Sequence, residues 1–194
     1  MEFEKFSIND SWDLKSSLIQ YSKKNPNEES TINKFHDLFE NKERCCYRDL
    51  FDPGHFTASA WVVSECGNYT LLAHHKKLDK WLQLGGHADG DSNLLAGAAR
   101  EVEEEGGLSV DTVLASDDRP IIFDIDLHDI PPHKSESAHQ HFDCRFLFKV
   151  SRELEIKCSD ESNDLKWIHV DKLSDYSQET SLLRMHQKTQ QLTF

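Results

Sequence analysis

The chain has 194 residues, of which 22 are Lys or Arg and 35 are Asp or Glu, giving a formal net charge of −13. That length suits one domain with a core of its own, and the acidic balance argues against the basic stripe of a general nucleic-acid binder, so no nucleic acid is expected as partner. No apolar run approaches the roughly 18 residues a membrane span needs, so no membrane association is expected either.

The opening MEFEKFSIND lacks the basic segment and apolar run of a secretory leader. Five cysteines without a CxxC pair (Cys45, Cys46, Cys66, Cys144, Cys158) read as free thiols in a reducing cytoplasm. Residues 1–52 read as a helical extension packed on a main domain of residues 53–194. Asp10 or Ser11 is placed to cap a first helix carrying Trp12, Leu14 and Leu18, which Asn25-Pro26-Asn27 breaks. A second helix from about Ser30 presents Ile32, Phe35, Leu38 and Phe39 on one face. These helices either cover a cleft or form a homodimer interface, and the sequence leaves both open.

After the turn signal Asp52-Pro53-Gly54 the pattern becomes strand-like. Strands are predicted over 60–63 and 69–73 around a Cys66-Gly67-Asn68 turn, and over 81–84 before Gly85-Gly86. A helix is predicted over 93–105, with later strands over 121–127, 142–150 and 164–169 and a closing helix over 180–190. Strands flanked by helices point to an α/β fold.

Residues 86–108, GHADGDSNLLAGAAREVEEEGGL, carry the chemistry. At about 100° per residue, Glu101, Glu104 and Glu105 share one helical face, while Leu94, Leu95, Ala98 and Val102 form an adjoining apolar stripe and Glu103 points to solvent. Three carboxylates on one face repel one another. A hard divalent cation with oxygen ligands, Mg²⁺ or Mn²⁺, relieves that repulsion. Six acidic residues here stand against Arg100 alone, a local excess of five within 23 residues. Part of the chain's negative charge therefore reads as a metal site.

The histidines cluster too. His139-x-His141-x-Asp143 alternates as a strand would, placing all three on one face, as a second metal site, a phosphate contact or a polar cleft mouth. His87 follows the glycine turn directly, and Glu136 lies in the loop before His139 as a candidate extra ligand or general base. His74, His75, Lys76, Lys77 and Lys80 make a basic run suited to attracting a polyanionic substrate, with Lys77 the residue taken as a substrate contact.

The 86–108 segment resembles the Nudix box: Gly, five residues, Glu, seven residues, then Arg-Glu-apolar-any-Glu-Glu-any-Gly-apolar. Gly86 opens the pattern and Arg100 to Leu108 closes it; Ser92 stands where the family has Glu. The flank WLQLGGHADGD is similar to a bacterial-type subgroup with a Gly-Gly-His opening, and the resemblance spans about residues 55 to 170. It implies an α/β/α sandwich with a mixed sheet and metal-dependent cleavage of a pyrophosphate bond in a nucleoside diphosphate linked to another moiety. It also implies that Glu101, Glu104, Glu105 and the Gly85 carbonyl hold Mg²⁺ or Mn²⁺, with Arg100 orienting the glutamates. His87, His139, His141 and Lys77 are the expected substrate contacts. Ser92 motivates a second reading, a catalytically weak or silent nucleotide-binding module. The many histidines motivate a third, an isomerase on the same fold.

Overall fold

The computed structural model describes residues 4–8, 12–115, 121–192 and 194. Among them no helix is long and apolar enough to cross a membrane. The elements run β1 (Glu4–Ser7), α1 (Leu14–Lys24), α2 (Glu29–Asn41), β2 (Gly54–Ser64), β3 (Tyr69–His75), β4 (Lys80–Leu82), β5 (Leu84–His87), α3 (Leu94–Gly106). They continue with β6 (Thr112–Ala115), β7 (Ile122–Ile130), β8 (His139–Val150), β9 (Ser162–His169), α4 (Leu173–Tyr176) and α5 (Thr180–Gln190).

A seven-stranded mixed sheet forms the centre, with β2 and β8 parallel and the other pairings antiparallel. Because strand side chains alternate between faces, β2 and β8 each feed two cores. Phe56, Ala58, Ala60 and Val62 of β2 join Phe142, Cys144, Phe146 and Phe148 of β8 beneath α1, α2 and α3. Trp61 and Val63 join Leu147 on the other face, under Leu182 and Met185 of α5. Helices on both sides of a mixed sheet make the expected α/β/α sandwich.

The segment before β2 contributes Leu14, Leu18, Tyr21, Ile32, Phe35 and Leu38 to the first core. Asp13 caps α1, its carboxylate accepting from the Ser16 amide at 2.8 Å. The expected capping residues Asp10 and Ser11 lie outside the described residues. The lead-in is not wholly helical: β1 pairs with β6, matching Phe6 to Val113. A partner more than a hundred residues away leaves no local pattern to read. All five cysteines are free.

The second face is unusual in what it buries. Asp124 of β7, fully enclosed, accepts from Arg145 Nη1 at 3.3 Å, Arg184 Nη2 at 2.8 Å and Lys188 Nζ at 2.7 Å. Arg145 also donates from Nε to Asp143 at 2.8 Å and pairs with Asp126 at 3.2 Å. Lys188 continues to Tyr21 Oη at 2.7 Å and Glu28 at 3.1 Å, so α5 is tied to α1 and the turn after it. Enclosed charges are tolerated only when paired and hydrogen-bonded. Arg145 of β8 and Arg184 and Lys188 of α5 supply that satisfaction here.

Two expectations follow. Gly54 has φ +151°, and a Cβ there would overlap the Gln140 carbonyl. Gly54→Ala should lose about 2–3 kcal/mol of stability, read as a lower urea midpoint. Burial would raise the Asp126 carboxyl, but His128, Arg145 and Arg184 together hold it well below the usual carboxylate range. A depressed carboxyl stabilises the fold above its unfolded value of about 3.9 and loses that contribution as pH falls through the folded value. Urea unfolding should therefore show a stability gap between the natural protein and Asp126→Asn that is constant above about pH 5 and closes on acidification; a gap independent of pH refutes the assignment.

Candidate active site

β5 and α3 build the acidic group. Asn93 caps α3 by accepting from the Ala96 amide at 3.1 Å, and Asp91 in turn accepts from the Asn93 amide at 2.8 Å. Ser92 is exposed and takes no part in the cap. Leu94, Leu95, Ala98 and Val102 are buried, as the helical period requires, and α3 ends at Gly107 in the left-handed conformation.

This packing brings Glu101 and Glu105 against the β5 backbone. Glu105 Oε2 accepts from the Gly85 amide at 2.9 Å. A Cβ at Gly86 would overlap Glu101 Oε1 and lie 2.7 Å from its Cδ, so only glycine leaves that carboxylate its place. Burial, then repulsion from Glu105 and Glu104, pushes the Glu101 carboxyl up to about 7. Burial pushes Glu105 up to about 7 as well, against the Gly85 hydrogen bond and with added repulsion from Glu161 and Glu104. Glu104 is exposed, and its 3.9 Å approach to Arg100 is a weak surface pair. Arg100 thus touches one glutamate of the three. Glu161, in the turn before β9, was not singled out from sequence; the acidic run Ser159-Asp160-Glu161 is the only signal it leaves.

The residues present suit a hard divalent cation. The glycine pair expected to turn instead lies within strand β5, paired with β2, and the half-buried carboxylates packed on it repel one another and form an oxygen donor set of the kind Mg²⁺ and Mn²⁺ take. Glu101, Glu105 and Glu104 supply the carboxylates.

On the opposite face of the same strand begins a second group. β2–β8 pairing sets His55 beside His141, and β7–β8 pairing sets His128 on the other side of His141. Ring centroids lie 4.8 Å apart for His55–His141, 5.1 Å for His55–His139, 5.2 Å for His139–His141 and 5.1 Å for His87–His141. Burial followed by the four neighbouring imidazoles holds His141 down to about 2. Burial, Arg48 and His55 hold His87 down to about 4.

The structure sets His139 and His141 on one face, as the alternation suggested, and brings His87 to them from β5, while Asp143 on the same face is engaged elsewhere. Asp143 is consumed by Thr57 at 3.0 Å, Ser59 at 2.9 Å and Arg145. His55 was missed. Its only sequence signal is the polar alternation His55-Thr57-Ser59, which mirrors His139-His141-Asp143. Glu136 approaches Arg48 at 3.9 Å in the loop before β8, and Lys77 is exposed in the turn between β3 and β4, outside both groups. Trp81 stacks on His74 at 5.1 Å and meets Tyr176 edge-on at 5.4 Å, packing at the margin of the second core.

A family model described as the NUDIX domain matches residues 54–188. No curated protein matches the chain. Among solved structures, a NUDIX-family hydrolase from Clostridium perfringens is 27% identical with a TM-score of 0.58, over 71% of this chain and 97% of its own. An Ap4A hydrolase from C. elegans, solved as a binary complex, is similar in fold at 14% identity and TM-score 0.51, over 70% and 95%. The NUDIX domain of Shewanella oneidensis NrtR, complexed with ADP ribose, is similar in fold at 11% identity and TM-score 0.51, over 80% and 96%. With the family match running over more than half of its length and enclosing Gly86 of β5 and the α3 glutamates, the chain belongs to the NUDIX domain family of hydrolases.

Proposed function

We propose that this chain hydrolyses a pyrophosphate bond in a small nucleoside diphosphate derivative, using Mg²⁺ or Mn²⁺ held by Glu101, Glu104, Glu105 and the Gly85 carbonyl. The observation carrying this reading is the pair of half-buried carboxylates, both raised to about 7, seated on the Gly85-Gly86 backbone. When bound, the cation neutralises charge on the pyrophosphate oxygens and acidifies an attacking water.

The chain's own residues prepare that chemistry. Gly85 N–H fixes the Glu105 carboxylate, and Gly86 leaves room for Glu101 to lie flat on the strand. Glu104 reaches solvent, where it is free to exchange between Arg100 and the cation. Glu161 adds negative field, so a polyanion approaches only with counter-cations in place. His87, His139 and His141 offer ring nitrogens to substrate oxygens, and Lys77 on its exposed turn adds long-range attraction.

The remaining parts of the proposal concern context. Residues 1–52 act as an extension serving the domain of residues 53–194, either as a cover for the cleft or as a homodimer contact. Five free thiols fit a cytoplasmic setting.

A screen of nucleoside diphosphate sugars, alcohols and dinucleoside polyphosphates with Mg²⁺ and Mn²⁺ tests the reading. Turnover is expected for at least one class, and Glu105→Gln should lower kcat by at least about 100-fold with the fold intact. Metal-dependent ligand binding without turnover across the panel would instead identify a silent binding module. Gly86→Ala is a separate check. Its methyl displaces the flexible end of Glu101 rather than backbone, so melting should change little while turnover falls at least about 10-fold.

A further inference from the structure

We propose that His55, His139 and His141 form a transition-metal site, separate from the glutamates and selective for Zn²⁺-type ions over Mg²⁺. One ring nitrogen from each of the three lies within 4.8 Å of the others. A tetrahedral ion with nitrogen ligands at about 2.05 Å separates them by about 3.3 Å. The His139 Nε2 to His141 Nε2 distance is already 3.3 Å. Closing the set needs only small side-chain rotations.

The hydrogen bonds around the rings choose the donor atoms. His55 Nδ1 faces the Leu50 carbonyl at 3.0 Å, and His139 Nδ1 faces the Ser137 carbonyl at 2.7 Å. A carbonyl only accepts, so both Nδ1 atoms carry the proton and both Nε2 atoms present lone pairs. Metal-ligating histidines are oriented in this way, with the far nitrogen donating to a backbone oxygen. His55 is 1% exposed, and its Nε2 has no hydrogen-bond partner. An enclosed, unpartnered acceptor costs stability unless something occupies it. A cation resolves that cost.

His139 Nε2 accepts in the metal-free chain, so His141 Nε2 is the donor of that contact. On binding, the His141 proton moves to its other ring nitrogen or to solvent, freeing the third lone pair. Among the described residues the close-set donors are these three rings alone: Asp143 is engaged by Arg145, Thr57 and Ser59, Asp126 faces His128 at 3.3 Å, and Glu136, whose charge also reaches His55, approaches Arg48 at 3.9 Å. An all-imidazole set disfavours Mg²⁺, which takes oxygen ligands, and favours Zn²⁺, Co²⁺ or Ni²⁺. Three protein ligands leave a fourth position for water or a phosphate oxygen. His87, with its ring 5.3 Å from His55, stands beside it.

The site does not depend on the hydrolysis proposed above, and the test separates the two. The chelator-stripped full-length protein is titrated with Co²⁺ and followed by visible absorption, then with Zn²⁺ by calorimetry. One ion per chain with the intense bands of a tetrahedral site is expected in the natural protein and in Glu105→Gln, even where that variant has lost turnover. His141→Ala and His139→Ala should each weaken Zn²⁺ binding by at least about 100-fold at an unchanged melting temperature in the absence of metal. His133→Ala, an exposed histidine outside the set, should bind as the natural protein does. Absence of stoichiometric Co²⁺ binding, or binding lost in Glu105→Gln and retained in the histidine variants, overturns the proposal.

Discussion

The parallel pairing of β2 with β8 is the constraint on which the molecule turns. It runs from Gly54 opposite Gln140 to Ser64 opposite Val150 without a register shift. On one face it lines up Phe56 with Phe142 and Ala60 with Phe146, a surface that three helices cover. On the other it lines up His55 with His141, Thr57 with Asp143 and Ser59 with Arg145. A slip of one residue in either strand would turn the imidazoles and carboxylates into the apolar core and the phenylalanines into the polar layer. Few alternative registers carry so large a penalty.

The polar face is ordered along its length. Imidazoles lie at the end where β2 and β8 begin, Thr57, Asp143 and Asp126 stand level in the next row, and Ser59, Arg145 and Asp124 in the row beyond, with Arg184 and Lys188 capping the carboxylates. Removing one member of such a buried set strands the others, at about 3–5 kcal/mol, whereas the intact set is not by itself a large source of stability. Its consequence is positional. Arg145 holds Asp143, Asp143 holds Thr57 and Ser59, and those hydroxyls fix the stretch of β2 that pairs with Gly85, Gly86 and His87. The glycine pair of β5 that seats the glutamates is therefore supported from behind by a hydrogen-bonded polar network.

What could be read from the residues follows the range of the interactions. The α3 face pattern and the closing helix rest on local periodicity and emerge at nearly their predicted bounds, whereas the first hairpin strand, expected over 60–63, extends over Gly54–Ser64 because its pairing with β8 prolongs it. The α3 cap falls to Asn93, the last of three adjacent polar residues, with Asp91 bracing its amide, and the backbone path decides among them. Strand β1 and the Asp124 group were illegible, since each needs a pairing between distant segments. His55 escaped for a related reason. A single histidine in a strand carries no meaning until parallel pairing sets it beside His141, and parallel partners are the least predictable from sequence.

The two groups meet at β5, and their chemistry explains how they can coexist one residue apart. Gly86 faces Glu101, and the next residue, His87, turns to the imidazole side. Carboxylates crowded to values near 7 favour a hard cation with oxygen ligands, and clustered imidazole nitrogens favour a borderline one. Were the sets mixed, each ion would compete for both. The strand pleat keeps the two donor types on opposite faces, and the Arg145 network keeps Asp143 and Asp126, the carboxylates of β8 and β7 that follow the histidines, occupied with cations of the protein itself. The −13 charge of the chain is thus not evenly spread surface charge. Part of it is gathered where a metal ion can offset it, and part is neutralised internally by Arg145, Arg184 and Lys188.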